Sequence, residues 1–135
     1  MKIIFEETLA HSKAFIFILD QWVKLLKAGQ GDNELPFSNS SFVCYAIDDK
    51  GVMLGASVWI YDTSRRTANV LFSAVDEQHR RKGLYTLIIQ EVERRAKLKG
   101  AINLYSGVHV SNQTMIATAA KVGRKAGWYR LKKPI

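Results

Sequence analysis

Hydrophobic and polar positions along the chain change period several times. Phe15, Ile18, Leu19, Trp22, Val23, Leu25 and Leu26 recur at three- and four-residue steps, which predicts an amphipathic helix ending at Gly29. Gly29 to Pro36 is rich in turn formers and reads as a linker. Phe42 to Ile47 is β-branched and aromatic, hence a strand, and Asp48-Asp49-Lys50-Gly51 is a hairpin turn. Val52 to Tyr61 makes a second strand, Asp62 to Arg66 turns again, and Thr67 to Val75 makes a third, giving an antiparallel meander. Helical spacing returns with Leu84, Leu87, Ile88, Val92 and Ala96 and closes at Gly100. Ala101 to Val110 alternates, with Ile102, Leu104, Val108 and Val110 on one side, and reads as a strand. Ser111 is the N-cap of a last helix that runs towards Lys125 and stops at Gly127, and Trp128 to Leu131 forms a short final strand. The order helix, three strands, helix, strand, helix, strand predicts a mixed α/β (α+β) fold. In it an antiparallel meander feeds a strand–helix–strand–helix unit. Ahead of the first helix, Met-Lys leads into a short apolar run and then Glu6 and Glu7, with no element assigned.

At 135 residues the chain has the size of one domain, here residues 1–135. Its 47% hydrophobic content and two prolines exclude a disordered or collagen-like chain. The single Cys44 excludes an internal disulfide framework and a cysteine-based zinc site, and within an apolar strand it reads as a small buried hydrophobe. His11, His79 and His109 are too scattered for a metal set, so no metal is expected. No apolar run approaches the ~20 residues of a membrane span, and no signal-peptide pattern opens the chain, so a cytoplasmic protein with no membrane partner is expected.

Charge sharpens the picture. The 20 Lys and Arg outnumber the 12 Asp and Glu, a net +8. Every acid lies at or before Glu93, so residues 94–135 carry +10 and the first 93 residues carry −2. Such a one-sided field attracts an anion: nucleic acid, a phosphate-bearing cofactor or an acidic partner. A basic surface that serves solubility alone reads equally well from charge.

The segment Val75-Asp76-Glu77-Gln78-His79-Arg80-Arg81-Lys82-Gly83-Leu84-Tyr85-Thr86 carries the chemistry. A strand runs into a basic, glycine-containing turn that opens a helix. Amides at a helix start have no intrahelical partner, and the helix dipole adds positive potential there. Glycine permits close approach, and three cationic side chains add full charges, so the turn suits a phosphate or pyrophosphate. It is neither a P-loop nor the three-glycine dinucleotide fingerprint.

Arg80-Arg81-Lys82-Gly83-Leu84-Tyr85 resembles the acyl-CoA-binding motif of the GNAT N-acetyltransferase superfamily, [Gln/Arg]-x-x-Gly-x-[Gly/Ala]. Val110-Ser111-Asn112 resembles the asparagine that opens that family's next helix, and Lys125-Ala126-Gly127-Trp128 the segment that closes it. The resemblance implies a CoA-dependent N-acyltransferase, with acetyl-CoA as acyl donor and a primary amine, small or protein-borne, as acceptor. Backbone groups around Ser73 to Val75 would hold the pantetheine arm. Amides from Arg81 to Thr86, with Arg80, Lys82, Gly83 and Tyr85 in the same turn, would hold the pyrophosphate. Asn112 would contact the pantetheine or adenine side. The third strand and the Ala101–Val110 strand would splay apart, with the thioester in the gap.

The chain departs from the family pattern in three places. Tyr85 stands where glycine or alanine is preferred, and its ring either crowds the pyrophosphate or turns away. The tyrosine that often protonates the leaving thiolate would fall at Gly123. The span from Asn112 to Gly127 is about one helical turn longer than usual, and the chain stops soon after Trp128, so the last hairpin is expected to be truncated. That truncation near Ile135 would leave a sheet edge open to homodimer formation. The catalytic group stays open, with His109, Tyr105 and Ser106 as candidates for proton handling and orientation. Glu6, Glu7, Asp62 and Asp76 are alternative bases or amine-binding carboxylates between which the sequence does not choose. Two other readings stand beside the enzyme. One is an inactive module of the same fold whose basic C-terminal part binds nucleic acid or an acidic partner. The other is a basic fold with no small-molecule site.

Overall fold

The computed structural model describes residues 1–29, 35–107, 125–127 and 130–135. Its elements in chain order are β1 (Lys2–Glu6), α1 (Phe15–Lys27), β2 (Phe42–Ile47), β3 (Met53–Asp62), β4 (Thr67–Val75), a 3-10 turn (Glu77–His79), α2 (Leu84–Lys99), β5 (Asn103–Gly107), β6 (Lys125–Gly127) and β7 (Arg130–Pro134). The strands form one seven-stranded sheet in the order β1-β2-β3-β4-β5-β7-β6. All neighbours are antiparallel except β4 and β5, which run parallel across the α2 crossover.

The meander and the strand–helix–strand unit agree with the periodicity. The turns are built as their residues suggest. The Asp48 carboxylate accepts the amides of Lys50 and Val52, and the Asp62 carboxylate those of Ser64 and Arg65. Helix α1 starts where Ser12 Oγ accepts the Ala14 amide at 3.0 Å. Gly100 closes α2 with φ +104, a left-handed conformation that glycine adopts without strain.

Among the described residues each face of the sheet carries one helix and one core. On the α2 side Trp59, Val70, Ile88, Ile89, Val92 and Leu104 are buried together. On the α1 side Leu9, Ile18, Val43, Tyr45, Val58 and Phe72 are. Gly55 sets how closely α2 approaches. A Cβ there would meet Ile88 Cδ1 at 3.0 Å and the Ala74 carbonyl at 3.1 Å. Phe42 and Trp59 pack with ring centroids 4.8 Å apart, and Phe5 lies 5.9 Å from Trp59. Arg95 and Lys99 of α2 lie over Phe5 and Phe42, and Lys133 of β7 donates to Glu93 at 2.8 Å. Several of the C-terminal cations therefore already cover aromatic or acidic groups.

The structure corrects several readings. Residues 2–6 are a strand, β1. Its apolar run does not alternate because Ile3 and Phe5 pack on the α2-side core while Ile4 packs on the α1-side core. Lys125–Gly127 is a strand and not the end of a helix, and it pairs with β7. A closing hairpin is therefore present. The final strand spans Arg130–Pro134 and lies inside the sheet between β5 and β6, so among the described residues the open edges are β1 and β6. Leu87 and Val23, assigned to the buried stripes, are 39% and 40% exposed, and α2 buries Tyr85 and Ile89 instead. Ile102 precedes β5 and is 48% exposed, its amide donating to the Arg66 carbonyl. The expected cap at Ser111 and the segments Val108–Val110 and Trp128 lie outside the described residues.

Candidate functional site

The sheet opens along β4. Its ladder to β3 runs from Thr67 opposite Asp62 to Val75 opposite Gly55. It is interrupted once: Val58 pairs with Phe72 and Trp59 with Val70, leaving Leu71 as the extra residue of a bulge. The bulge shifts the alternation, so Val70 faces the α2-side core and Phe72 the α1-side core. On its other side β4 pairs with β5 only from Thr67–Asn103 to Val70–Ser106. Beyond that rung, Leu71–Val75 has β3 on one side and no strand on the other among the described residues. Among the described residues, the main-chain groups of β4 that point away from β3 beyond this rung have no strand partner.

This edge of β4 leads to the mouth of α2 through a braced turn. The Asp76 amide donates to the Leu54 carbonyl at 2.8 Å. Strand alternation therefore turns the Val75 peptide groups to the open side, where the Val75 carbonyl accepts Arg80 Nε at 3.0 Å. The Asp76 carboxylate accepts the Gln78 amide at 3.3 Å and His79 Nδ1 at 2.9 Å. The bond from His79, above all, holds the Asp76 carboxyl below the usual carboxylate range. This brace fixes where the next four residues go.

Those residues form the mouth. Arg81 has φ +64 and Gly83 has φ +79, both left-handed, with Arg80 and Lys82 on the ordinary side of φ between and before them. Such alternation turns successive amides towards a common point, the backbone arrangement that binds anions. The helix start has no side-chain cap and no acid in its first turn. Among the described residues nothing stands within 4 Å of where a Gly83 Cβ would sit. Arg80, Arg81 and Lys82 are exposed and add three positive charges.

Tyr85 turns away from the mouth. It is 8% exposed and belongs to the α2-side core with Leu84 and Ile88. The ring that stands where the family prefers a small residue is thus core packing and does not crowd the anion site. Thr86 is half-buried one residue further along α2. Ser73, half-buried on the α2 side of β4, shares a 2.7 Å hydrogen bond with buried Ser57.

Of the proton-handling candidates, Ser106 sits on the last rung of the β4–β5 ladder and is 6% exposed. Tyr105 faces the α1 side of the sheet, with the Lys132 ammonium 5.9 Å from its ring centre. His109 and Asn112 lie outside the described residues. Among the alternative bases, Glu6 accepts from Ser12, Asp62 caps its turn and Asp76 braces the mouth. Cys44 is fully buried, and burial pushes its thiol up to about 12, which suits a core residue and not a nucleophile. The Trp59 indole N–H has no nitrogen or oxygen partner, and the Cys44 sulfur is its polar neighbour. Among the described residues no group of three His, Cys, Asp or Glu could hold a metal, and no helix is long and apolar enough to cross a membrane.

Sequence reasoning missed the bulge at Leu71, the Asp76–His79 brace and the position of Lys132. The brace had a local signal, an Asp three residues before a His in a turn. The bulge had none, because its cause is the mismatch between two ladders.

Residues 11–123 match the model of the acetyltransferase (GNAT) family. No curated protein matches the chain in sequence. Solved structures share the fold. N-acetylglutamate synthase from Neisseria gonorrhoeae, complexed with coenzyme A and N-acetyl-glutamate, aligns with TM-score 0.74 at 13% identity over 99% of this chain. This chain spans only 35% of that protein's length. A GCN5-related N-acetyltransferase from Kribbella flavida aligns with TM-score 0.71 at 14% identity, covering 98% of both chains. IAA acetyltransferase from Bacillus cereus aligns with TM-score 0.70 at 15% identity, covering 99% of this chain and 100% of the other. The matched segment spans most of the chain, which therefore belongs to the GNAT acetyltransferase family.

Proposed function

We propose that the protein transfers an acetyl group from acetyl-CoA to a primary amine by direct attack. The observation that carries this reading is the continuity of two features: the edge of β4 that has no described strand partner beyond Val70–Ser106, and the uncapped mouth of α2 at Arg81 to Thr86. A carrier with a phosphate-rich end and a long amide-bearing arm suits that continuity. The amides of Arg81 to Thr86 would take the pyrophosphate, helped by the charges of Arg80, Arg81 and Lys82. The free edge of β4 from Leu71 to Val75, including Ser73, would pair with the arm. Asn112 would add a contact on the same side.

The thioester supplies an acyl carbon activated for attack. The amine nitrogen bonds to it as the carbon–sulfur bond breaks, the electron pair leaving with sulfur and the nitrogen's proton passing to the thiolate or to water. Ser106, at the fork of the strands, would orient the reacting groups, with Tyr105 and His109 as proton carriers. The inward turn of Tyr85 removes the steric ground for an inactive module. We read residues 1–135 as one acyltransferase domain. A lone buried thiol fits a reducing, cytoplasmic setting. A role for the basic C-terminal part in docking nucleic acid or an acidic protein, or for a free sheet edge in a homodimer, would be additional to this reading.

Release of free CoA thiol with acetyl-CoA and a panel of amines tests the reaction. Amine-dependent release is the expected result, and none with any amine, despite saturating acetyl-CoA, would overturn it. Binding at 100 times the dissociation constant should also add ~2.7 kcal/mol of stability in a thermal melt.

A further inference from the structure

The two sides of the β4–β5 gap differ in what they can offer an acceptor. β5, β6, β7 and every residue after Glu93 contain no Asp or Glu, while residues 94–135 hold ten Lys and Arg. Ile60, Asn69, Tyr105 and Lys132 pair in register across four strands, one step below the fork. Trp59, Ala68 and Leu104, their chain neighbours, lie in the α2-side core, so this row faces the α1 side, as does Phe72 just beyond the bulge. Lys133 reaches Glu93 on the α2 side, which turns exposed Lys132 to the same side as Tyr105. Within this row the charged group is thus the Lys132 ammonium.

Most carboxylates elsewhere among the described residues are engaged. Glu6 accepts from Ser12, Asp20 pairs with Lys24, and Asp49 pairs with the N-terminus. Asp48 and Asp62 cap turns, and Asp76 holds His79. Glu91 takes Arg94 and Arg95, and Glu93 takes Lys133. Glu7 and Glu77 are exposed, ahead of α1 and beside the α2 mouth. Asp32 and Glu34 fall outside the described residues.

We infer that the acceptor is a small primary amine carrying its own anionic group, a carboxylate or a phosphate, which pairs with Lys132 while the amine points to the fork. The inference rests on the acetyltransferase reading and narrows its substrate. Two physical consequences agree with it. A polycationic amine would meet the Lys132 ammonium and no acidic side chain on β5 or β7, and be repelled. An ammonium beside a fixed cation is more acidic, so the field itself promotes the deprotonation that attack needs.

The test compares matched amines: ethanolamine with O-phosphoethanolamine, putrescine with ornithine, and spermidine as the polycation. Acetyl-CoA binding is first measured by calorimetry, and kcat/KM is then measured for each amine. Preference for the anionic member of a pair by tenfold or more is expected, and the two pairs separate a phosphate requirement from a carboxylate one. Lys132→Glu should remove that preference and raise KM for the anionic amine while leaving acetyl-CoA affinity within about twofold. Acetyl-CoA binding with turnover of putrescine or spermidine, equal to or faster than the anionic amines, overturns this inference and leaves the acetyltransferase reading intact. So does turnover of none of the anionic amines, or an unchanged preference in folded Lys132→Glu. No binding of acetyl-CoA overturns both.

Discussion

Val70 and Ser106 form the last rung between β4 and β5, and the bulge residue Leu71 follows at once. Among the described residues the parallel pairing ends where the extra residue re-aims β4 in the β3–β4 ladder. Beyond it Leu71–Val75 has a described strand on one side only, and it leads to a helix start that no side chain caps.

Gly83→Trp should abolish acetyl-CoA binding while the protein still folds. The new side chain would project into the mouth, since among the described residues nothing lies within 4 Å of the Cβ position. The left-handed φ of +79 would add a strain of roughly 1 kcal/mol. Calorimetry and a thermal melt check the two halves; wild-type affinity in the folded variant would contradict the anion site.

Tyr85→Ala should cost about 3 kcal/mol of stability through the cavity it leaves among Leu84, Ile88 and Ile89. Affinity for acetyl-CoA should change less than threefold. Chemical denaturation with a parallel titration checks this, and a large gain in affinity would show that the ring obstructs the mouth after all.

Asp76→Asn should loosen the turn ahead of the mouth and weaken acetyl-CoA binding several-fold at pH 7. The Asp76 carboxyl is held below its ordinary value, chiefly by the bond from His79, so its contribution is present above the unfolded carboxylate value of about 3.9. It is lost as pH falls through the lower folded value. The melting-temperature gap between wild type and variant should therefore be open at pH 7 and close below about pH 4. A gap that persists at low pH would assign the effect to the amide substitution itself.

Cys44 should resist a thiol reagent at pH 8 in the native protein and react at once in guanidinium. It is fully buried, and its thiol is raised to about 12 by burial. Fast labelling of the folded chain would place the thiol in contact with solvent.

Much of this was readable from the chain, and the rest was hidden for identifiable reasons. Strands β2, β3 and β4 were legible because each is bounded by turn residues whose carboxylates cap the turn, as Asp48 and Asp62 do. The helix mouth was legible because Arg80 to Gly83 follows a strand end. β1 was obscured because both faces of an outer strand are covered, which erases alternation. β6 was obscured because Lys125-Ala126-Gly127 is short and sits where a helix end reads equally well. The orientation of Tyr85 depends on whether the helix phase turns position 85 to the core, and only the packing of α2 on Gly55 decides that.

The most direct measurement is an amide NMR titration with acetyl-CoA. The largest shifts are expected on Arg81 to Thr86 and on Leu71 to Val75, the mouth and the edge of β4, with Tyr85 side-chain resonances little changed. Saturable binding whose shifts cluster elsewhere on the protein, or no shifts at millimolar acetyl-CoA, would contradict it.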